Sequence, residues 1–235
     1  MKTRYFLMVA VLLIALITSC KKDNYDAPEL DFTGRLVYKG EAINVQYNTV
    51  YFELWQPGFG NYAPIRVNVT QDGVYSAKLF KGDYKLVFTA NRGPFLWPKN
   101  SKGAQDTVAV SIQDSKTMDI EINPYYMVRG STFSASAGKV NASCRLEKII
   151  NDANAKTIER VTLYLNKTQF VDGNSTNNLV SQSLEGAALA DLNNLSLSAT
   201  IPNIVPTQNY IFARIGVKIA GVEDMIFTPV SKLTY

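Results

Sequence analysis

The side chains best suited to binding chemistry are the aromatic residues in and directly after the run TVYFELW. Side chains alternate along a strand, so this run predicts that Tyr51 and Trp55 share the face opposite to apolar Phe52 and Leu54. Flat aromatic rings suit the C–H faces and hydroxyls of sugars, because Tyr and Trp combine a large rigid surface with a polar edge. The candidate ligand-binding residues here are Tyr51, Trp55, Phe59, Tyr62 and Arg66. The alternative is that a loop covers Tyr51 and Trp55, and that both rings only pack.

The second tryptophan, Trp97, lies in the segment RGPFLWPKN, residues 92–100. Prolines on both sides hold its backbone extended, which disfavours a helix or a central strand. If the strands of the first half run alternately up and down, this segment and the later Asn123-Pro124 lie at the same end, opposite to Trp55. We therefore expect Trp97 to pack as a wedge beside Pro124, Tyr125 and Tyr126. The alternative is that Trp97 is a further ligand-binding residue, lining a cleft between two domains.

Composition argues against catalysis and against metal or nucleic-acid binding. The chain has no histidine, which removes the commonest general base, the usual serine-hydrolase triad and most zinc chemistry. Its carboxylates fall at turns or scattered strand positions, whereas a glycosidase needs a pair across a cleft. The segment 172–178 has oxygen side chains at alternate positions, but Asn177 stands where a calcium loop has glycine. The chain also lacks a basic block, so no enzyme, cofactor, metal or nucleic acid is expected.

The first 19 residues have the layout of a secretory signal peptide. Lys2 and Arg4 precede an apolar run over residues 6–17, which is shorter than the roughly 20 residues of a membrane-spanning helix. The next residues, Ile17-Thr18-Ser19-Cys20, resemble a bacterial lipobox. This resemblance implies that Cys20 is lipidated, that it becomes the first residue of the mature chain, and that its acyl chains anchor the protein in a membrane.

Residues 20–30 are polar and contain a proline, which predicts a flexible lipidated tether. The tether begins with Lys21-Lys22-Asp23, which resembles the charged surface-export signal of Bacteroides-type lipoproteins. The resemblance implies a lipid-anchored protein of the outer membrane that faces the cell exterior. Orientation toward the periplasm is the alternative.

Short alternating runs separated by Gly, Pro, Asn and Asp follow from Leu30 onward, and this spacing is typical of an all-β protein. Seven strands are predicted in the first half: FTGRLVY, TVYFELW, APIRVNV, VYSAKLF, DYKLVFTA, DTVAVSI and TMDIEI. Six are predicted in the second half: YMVRGSTFSAS, VNASCRLEKI, TIERVTLYLN, LSLSATI, NYIFARIGVKIAG and EDMIFTP. Asn123-Pro124 interrupts the pattern. The sequence thus predicts two antiparallel β-sandwich domains in tandem, over residues 31–123 and 124–235, behind a lipoprotein signal peptide.

Two patterns predict which side chains of the second half are buried. In the longest run, every second residue from Ile211 to Ile219 is apolar, while Tyr210, Arg214 and Lys218 fall on the other face and are expected to meet solvent. Cys144 lies in a strand-like run and has no histidine to activate it, so we expect a small, buried, unreactive side chain.

The block DGVYSAKLFKGDYKLVF, residues 72–88, resembles the transthyretin-like or carboxypeptidase-regulatory β-sandwich. In that fold, a turn like Asp72-Gly73 leads into one strand, and a tight turn like that at Gly82 leads into the return strand. Together with ELWQPGFGNYAPIRV, GPFLWP and the lipobox, the chain resembles a Bacteroides lipoprotein family called domain of unknown function 3823. The resemblance implies a transthyretin-like first domain, an Ig-like second domain and no catalytic residues. It also implies an accessory glycan-binding role beside the outer-membrane glycan-import proteins of polysaccharide-utilisation systems.

Two functions from different classes are consistent with these predictions. The first is a non-catalytic surface lipoprotein that binds glycan through exposed aromatic residues. The second is a structural or assembly module that packs against an outer-membrane transporter or a neighbouring lipoprotein. A concave aromatic site with nearby amides and charges would favour the first. A broad flat apolar patch would favour the second.

Overall fold

The computed structural model of the protein describes residues 26–58, 62–89 and 92–235. The predicted signal peptide over residues 1–19, its lipidation site Cys20 and the following Lys21-Lys22-Asp23 lie outside the described residues, as does Phe59. Within the described ranges, no helix is long and apolar enough to cross a membrane.

The described chain is all-β, as the sequence predicts, apart from one short 3-10 turn at Gly186–Ala188. The strands of the first domain are β1 (Leu30–Tyr38), β2 (Glu41–Ala42), β3 (Asn44–Val45), β4 (Tyr51–Trp55), β5 (Pro64–Asn68), β6 (Val74–Leu79), β7 (Gly82–Val87), β8 (Phe95–Leu96), β9 (Val108–Ile112), β10 (Lys116–Thr117) and β11 (Ile120–Glu121). The strands from the junction onward are β12 (Asn123–Pro124), β13 (Tyr126–Ser136), β14 (Lys139–Lys148), β15 (Ile158–Asn166), β16 (Val180–Glu185), β17 (Leu195–Thr200), β18 (Tyr210–Ile219), β19 (Ile226–Phe227) and β20 (Ser231–Thr234).

The first domain consists of two sheets whose main strands alternate in direction along the chain. In one sheet, β1 pairs antiparallel with β2 and β6, and parallel with β10 and β11. The other sheet has the order β5-β4-β7-β9 and is antiparallel throughout. The parallel pairing follows from the alternation, because β1 is the first and β10–β11 together form the last of the seven predicted strands. When seven strands alternate in direction, the first and the last strand run in the same direction.

The core of the first domain is rich in aromatic rings. Phe52 and Leu54 are fully buried, which confirms the predicted faces of β4. The ring of Tyr75 packs edge-on against Phe52 with the centroids 5.0 Å apart, and its hydroxyl donates a hydrogen bond to the carbonyl of Met118. Burial, aided by the charge of Asp119, raises the pKa of Tyr75 well above its ordinary value. The hydroxyl therefore stays protonated and holds the segment between β10 and β11 against the core.

The second domain has a three-stranded sheet, β13-β14-β17, and a larger sheet that contains β16-β15-β18-β19, with β20 beside β18. The five alternating residues of β18 from Ile211 to Ile219 are fully buried, as predicted. Strand β16 was not predicted, because four of the six residues in its sequence VSQSLE are polar and Gln182 interrupts the apolar face formed by Val180 and Leu184. An edge strand with half-exposed side chains can carry such a sequence.

Arg214 corrects the prediction that the second face of β18 meets solvent. Its side chain is fully buried, because carbonyl groups from both domains surround the guanidinium and the ring centroid of Phe227 lies 4.4 Å from its central carbon. The guanidinium donates to the carbonyl oxygens of Thr228 at 2.7 Å, Gln71 at 2.7 Å and Val45 at 3.1 Å. Since Gln71 and Val45 belong to the first domain, one arginine of the second domain ties the two together.

The junction between the domains is built from strand pairing and shared burial. Val45 of β3 lies opposite Ile226 of β19, and β8 pairs with β12 directly at the boundary. The backbone N–H of Gly93 donates to a carboxylate oxygen of buried Asp224 at 2.8 Å. Buried apolar residues of both domains form one continuous cluster. These contacts join the domains into one unit, which differs from two domains joined only by a flexible linker.

We expect the thiol of Cys144 to be inert in the folded protein. Cys144 is buried on β14, as predicted, and burial raises its pKa from the ordinary 9.0 to about 11. In a Cys20→Ser chain lacking residues 1–19, Ellman's reagent should label Cys144 only after urea unfolds the protein. The unfolded thiol ionises first, so the free energy of unfolding should fall as the pH rises from 9.0 to about 11. Labelling of the folded protein at the rate of a free thiol would contradict this prediction.

Candidate functional site

The candidate residues of the first domain lie on the outer face of the sheet that contains β4 and β5. Phe52 and Leu54 point into the core, so the intervening side chains of β4 point outward. Antiparallel pairing places Glu53 opposite Arg66. The residues of this outer aromatic face are Tyr51, Glu53, Trp55, Tyr62 and Arg66. The structure therefore brings together the predicted residues that it describes, apart from Trp97.

Tyr51 lies at the end of β4 nearest the domain junction, and cations cover part of its ring. The guanidinium carbon of Arg66 is 3.6 Å from the ring centroid, and that of Arg92 is 5.0 Å away. Arg66 also donates from Nε to Oδ1 of Asn68 at 3.1 Å. Such cation–π contacts hold the side chains in place, and they use ring surface that a ligand would otherwise contact. Tyr51 therefore fits the packing alternative better than the ligand-binding one.

Trp55 and Tyr62 form an aromatic pair at the opposite end of β4. Their ring centroids are 5.0 Å apart and their planes are inclined by 46°. Trp55 is half-buried, and its indole Nε1 donates to a carboxylate oxygen of Glu53 at 3.0 Å, which fixes the orientation of the ring. The side chain of Tyr62 is 59% exposed. The two inclined rings present an aromatic surface to solvent with a carboxylate beside it.

Trp97 lies beside the domain junction, which confirms its expected position. It follows β8, which pairs with Asn123–Pro124, and it is only 6% exposed. Its indole Nε1 donates to the carbonyl of Asp106 at 2.8 Å, and its ring centroid is 4.9 Å from that of Phe88. Trp97 also lines a cleft of about 410 Å³ between the domains. It is therefore both a packed wedge and part of a cleft wall.

The sequence reasoning missed Arg92 as a neighbour of Tyr51. The alternation of strand directions contains the signal, because the segment that follows β7 returns to the end of the sheet where β4 begins. The guanidinium of Arg92 also lies 3.7 Å from a carboxylate oxygen of Glu223, so Arg92 links the outer aromatic face to the second domain.

The loop over residues 172–178 closes on itself. Asp172 is fully buried, and its carboxylate accepts hydrogen bonds from the backbone N–H of Asn174 at 2.8 Å and from Nδ2 of Asn177 at 3.0 Å. This geometry is that of a local polar turn. Across the part of the chain that the structure describes, no group of three His, Cys, Asp or Glu side chains could hold a metal ion.

Comparison with known proteins assigns the chain to a family. A family model described as the N-terminal domain of a protein of unknown function, DUF3823, matches residues 30–123, and the DUF3823 C-terminal domain of unknown function matches residues 126–232. The chain belongs to the DUF3823 family. Among curated proteins, none matches the sequence.

Solved structures of DUF3823 proteins are similar to this chain over most of its length. One from Parabacteroides merdae is 33% identical and covers 89% of this chain and 100% of its own, with a TM-score of 0.75. One from Bacteroides ovatus is 29% identical and covers 88% and 99%, also with a TM-score of 0.75. A Bacteroides uniformis protein proposed to bind carbohydrate is 17% identical, covers 88% and 100%, and has a TM-score of 0.67. The last likeness shows the shared fold alone.

Proposed function

We propose that this DUF3823 protein is a non-catalytic lipoprotein of the cell surface that binds glycan as an accessory component of a polysaccharide-utilisation system. The observation that supports glycan binding best is the exposed Trp55–Tyr62 pair with Glu53 beside it. Inclined aromatic rings offer the C–H faces of a sugar a surface that is already ordered, so little side-chain entropy is lost on binding.

Polar groups around the pair are placed to hydrogen-bond sugar hydroxyls. The second carboxylate oxygen of Glu53 has acceptor capacity left after the first takes the indole N–H. Lys85 of β7 lies directly opposite Trp55 in the sheet and is exposed. A sugar stacked on the rings would thus have an acceptor, Glu53, and a donor, Lys85, at its edges. This arrangement favours a ligand whose ring carries hydroxyl groups over a purely apolar ligand.

The lipid anchor and the surface location rest on the signal-like residues 1–19 and on Cys20. Two or three acyl chains hold a protein on a bilayer durably, whereas one holds it weakly. The Bacteroides uniformis protein of the same fold, itself proposed to bind carbohydrate, supports the glycan proposal at the level of fold analogy.

The second candidate function is a structural module that packs against an outer-membrane transporter or a neighbouring lipoprotein. The observation that favours it is the junction, where β3 joins the sheet of the second domain and Arg214 bonds carbonyls of both domains. A stiff two-domain unit can act as a spacer or a docking partner, because little conformational entropy is lost when it binds.

Replacing Trp55 or Tyr62 with alanine is expected to weaken glycan binding by about tenfold or more, because each ring supplies a large share of the contact area. Affinity electrophoresis in gels that contain one neutral polysaccharide each, such as xyloglucan, galactomannan or mixed-linkage glucan, measures the retention. The protein used lacks residues 1–19 and carries Cys20→Ser.

Tyr235→Ala is the matched control, since Tyr235 is 44% exposed and lies at the end of the second domain. It should leave retention unchanged. Retention of the parent with equal retention of both site variants would remove the site assignment. If no polysaccharide retards the parent, the assembly function is favoured.

A further inference from the structure

A second candidate binding surface is the cleft between the domains, at the opposite end of β4 from the Trp55–Tyr62 pair. Its volume of about 410 Å³ falls within the range of small-molecule sites. One wall belongs to the first domain and consists of Thr89, Arg92, Gly93, residues 95–97, Lys99 and Gln105. The other wall consists of Tyr125, residues 153–156 and residues 221–222. A ligand in the cleft would therefore contact both domains.

The charge that lines the cleft has one sign. Arg92, Lys99 and Lys156 contribute to its walls, and none of the described residues that line it is acidic. Nζ of Lys156 donates to the carbonyl of Gly221 at 3.3 Å, and Arg92 lies 3.7 Å from the carboxylate of Glu223. Within the described ranges, no group accepts a hydrogen bond from the Lys99 ammonium, and the side chain is exposed. At least one cation thus remains available for a ligand.

Three carboxylates that adjoin lining residues in sequence or contact them are engaged with the protein; one, Glu223, lies 3.7 Å from Arg92. Asp224 is buried and accepts from the backbone N–H of Gly93, and Asp152 accepts from the backbone N–H and the side chain of Asn154. These hydrogen bonds hold the carboxylates against the protein backbone. The cationic side chains that line the cleft therefore make the electrostatic potential between its walls positive.

Two polar atoms in the cleft walls have no partner among the described residues. Oγ1 of Thr89 and Oε1 of Gln105 are buried, and no hydrogen bond reaches either of them from the described part of the chain. Buried polar atoms without partners are rare in folded proteins. A backbone bridge between Lys99 and Gln105 holds the cation and the amide side by side. Hydroxyl groups of a bound ligand would supply the missing hydrogen bonds once the side chains turn toward it.

Aromatic rings supply the apolar part of the cleft. Trp97 and Tyr125 line it and are only 6% and 7% exposed, so only a small part of each ring faces the cleft. The combination of apolar edges, unpaired hydrogen-bonding groups and cations matches a sugar ring that bears a negative group. We propose that the interdomain cleft binds an anionic sugar, a pyranose with a carboxylate or a sulfate, with Lys99 as its main charge contact. A neutral sugar would leave that cation without a counter-charge.

Fluorescence of Trp97 provides a direct test, because the protein has only two tryptophans. A Trp55→Phe background leaves Trp97 as the sole emitter, so the signal reports the cleft and is independent of the proposed Trp55–Tyr62 site. The probes are trigalacturonate for a carboxylate, a sulfated galacto-oligosaccharide for a sulfate, and galactotriose as the neutral counterpart. We expect saturable changes with one or both anionic probes, at least about tenfold weaker binding of galactotriose, and weaker anion binding at higher salt.

Charge variants localise the binding. Lys99→Glu should weaken it by about tenfold or more, whereas Lys99→Arg should largely retain it. Lys139→Glu makes the same charge change at the hairpin between β13 and β14, at the far end of the second domain, and should leave binding within about twofold of the parent. Saturation by neither anionic probe would overturn the proposal. Equal binding of galactotriose, or equal losses in the Lys99→Glu and Lys139→Glu variants, would overturn it as well.

Discussion

Replacing Arg214 with methionine is expected to lower the free energy of unfolding by about 3–5 kcal/mol, because several buried carbonyl oxygens lose a donor. Methionine fills a similar volume but donates no hydrogen bonds. The carbonyl oxygens that lose a donor are those of Thr228, Gln71, Val45 and Val171. Each buried acceptor left unpaired costs about 1–3 kcal/mol before the structure relaxes. Urea denaturation followed by circular dichroism measures the difference.

The electrostatics of Arg214 explain why lysine should not replace it well. Burial lowers the pKa of Arg214 to about 10, and the charges of Asp72 and Asp172 partly offset that effect. A guanidinium with its planar fork can reach several carbonyls at once, whereas an ammonium is a compact point charge. We expect Arg214→Lys to destabilise the protein as well, although less than Arg214→Met.

Arg145→Met is the matched control for Arg214→Met, since Arg145 is exposed on β14, and it should change stability by no more than about 0.5 kcal/mol. A second signature is specific to the junction. Because Arg214 bonds carbonyls of both domains, its loss should split one cooperative unfolding transition into two. Equal stability of the Arg214→Met and Arg145→Met variants would show that the buried network contributes nothing.

Alternation within single strands made much of the fold predictable. The pattern around Phe52 and Leu54 fixed which face of β4 is buried, and the count of strands fixed the end at which Trp97 lies. Both inferences need only the period of two and the reversal of direction at each turn. Neither inference therefore depends on contacts between residues that are distant in sequence.

The contacts between the domains could not be predicted in the same way. Strand β3 is two residues long and has no periodic pattern, yet it joins the sheet of the second domain. The period of β18 correctly placed Arg214 on the face opposite to Ile215. It could not show what surrounds that side chain, because Val45 and Gln71, whose carbonyl groups it bonds, are distant in sequence. Burial of a polar side chain depends on such long-range pairing.

The candidate site was predictable in part, from the alternation of side chains along β4. Period alone placed Tyr51 and Trp55 on one face, but only the pairing of β4 with β5 brings Arg66 beside Tyr51. Whether a ring is free for a ligand depends on these neighbours. Tyr51 is occupied by two arginines, whereas the Trp55–Tyr62 pair is open on the Tyr62 side.

Replacing Trp97 with alanine is expected to destabilise the protein by about 3–5 kcal/mol, the usual cost of removing a large buried aromatic side chain. The change removes the contact with Phe88 and the hydrogen bond to the carbonyl of Asp106, directly beside the pairing of β8 with β12. Urea denaturation measures the loss, and Trp55→Ala on the half-buried outer face should cost less than half as much. Similar losses in the two variants would contradict the wedge role. Because unfolding also abolishes binding, only a Trp97 variant shown to be folded can inform on ligands.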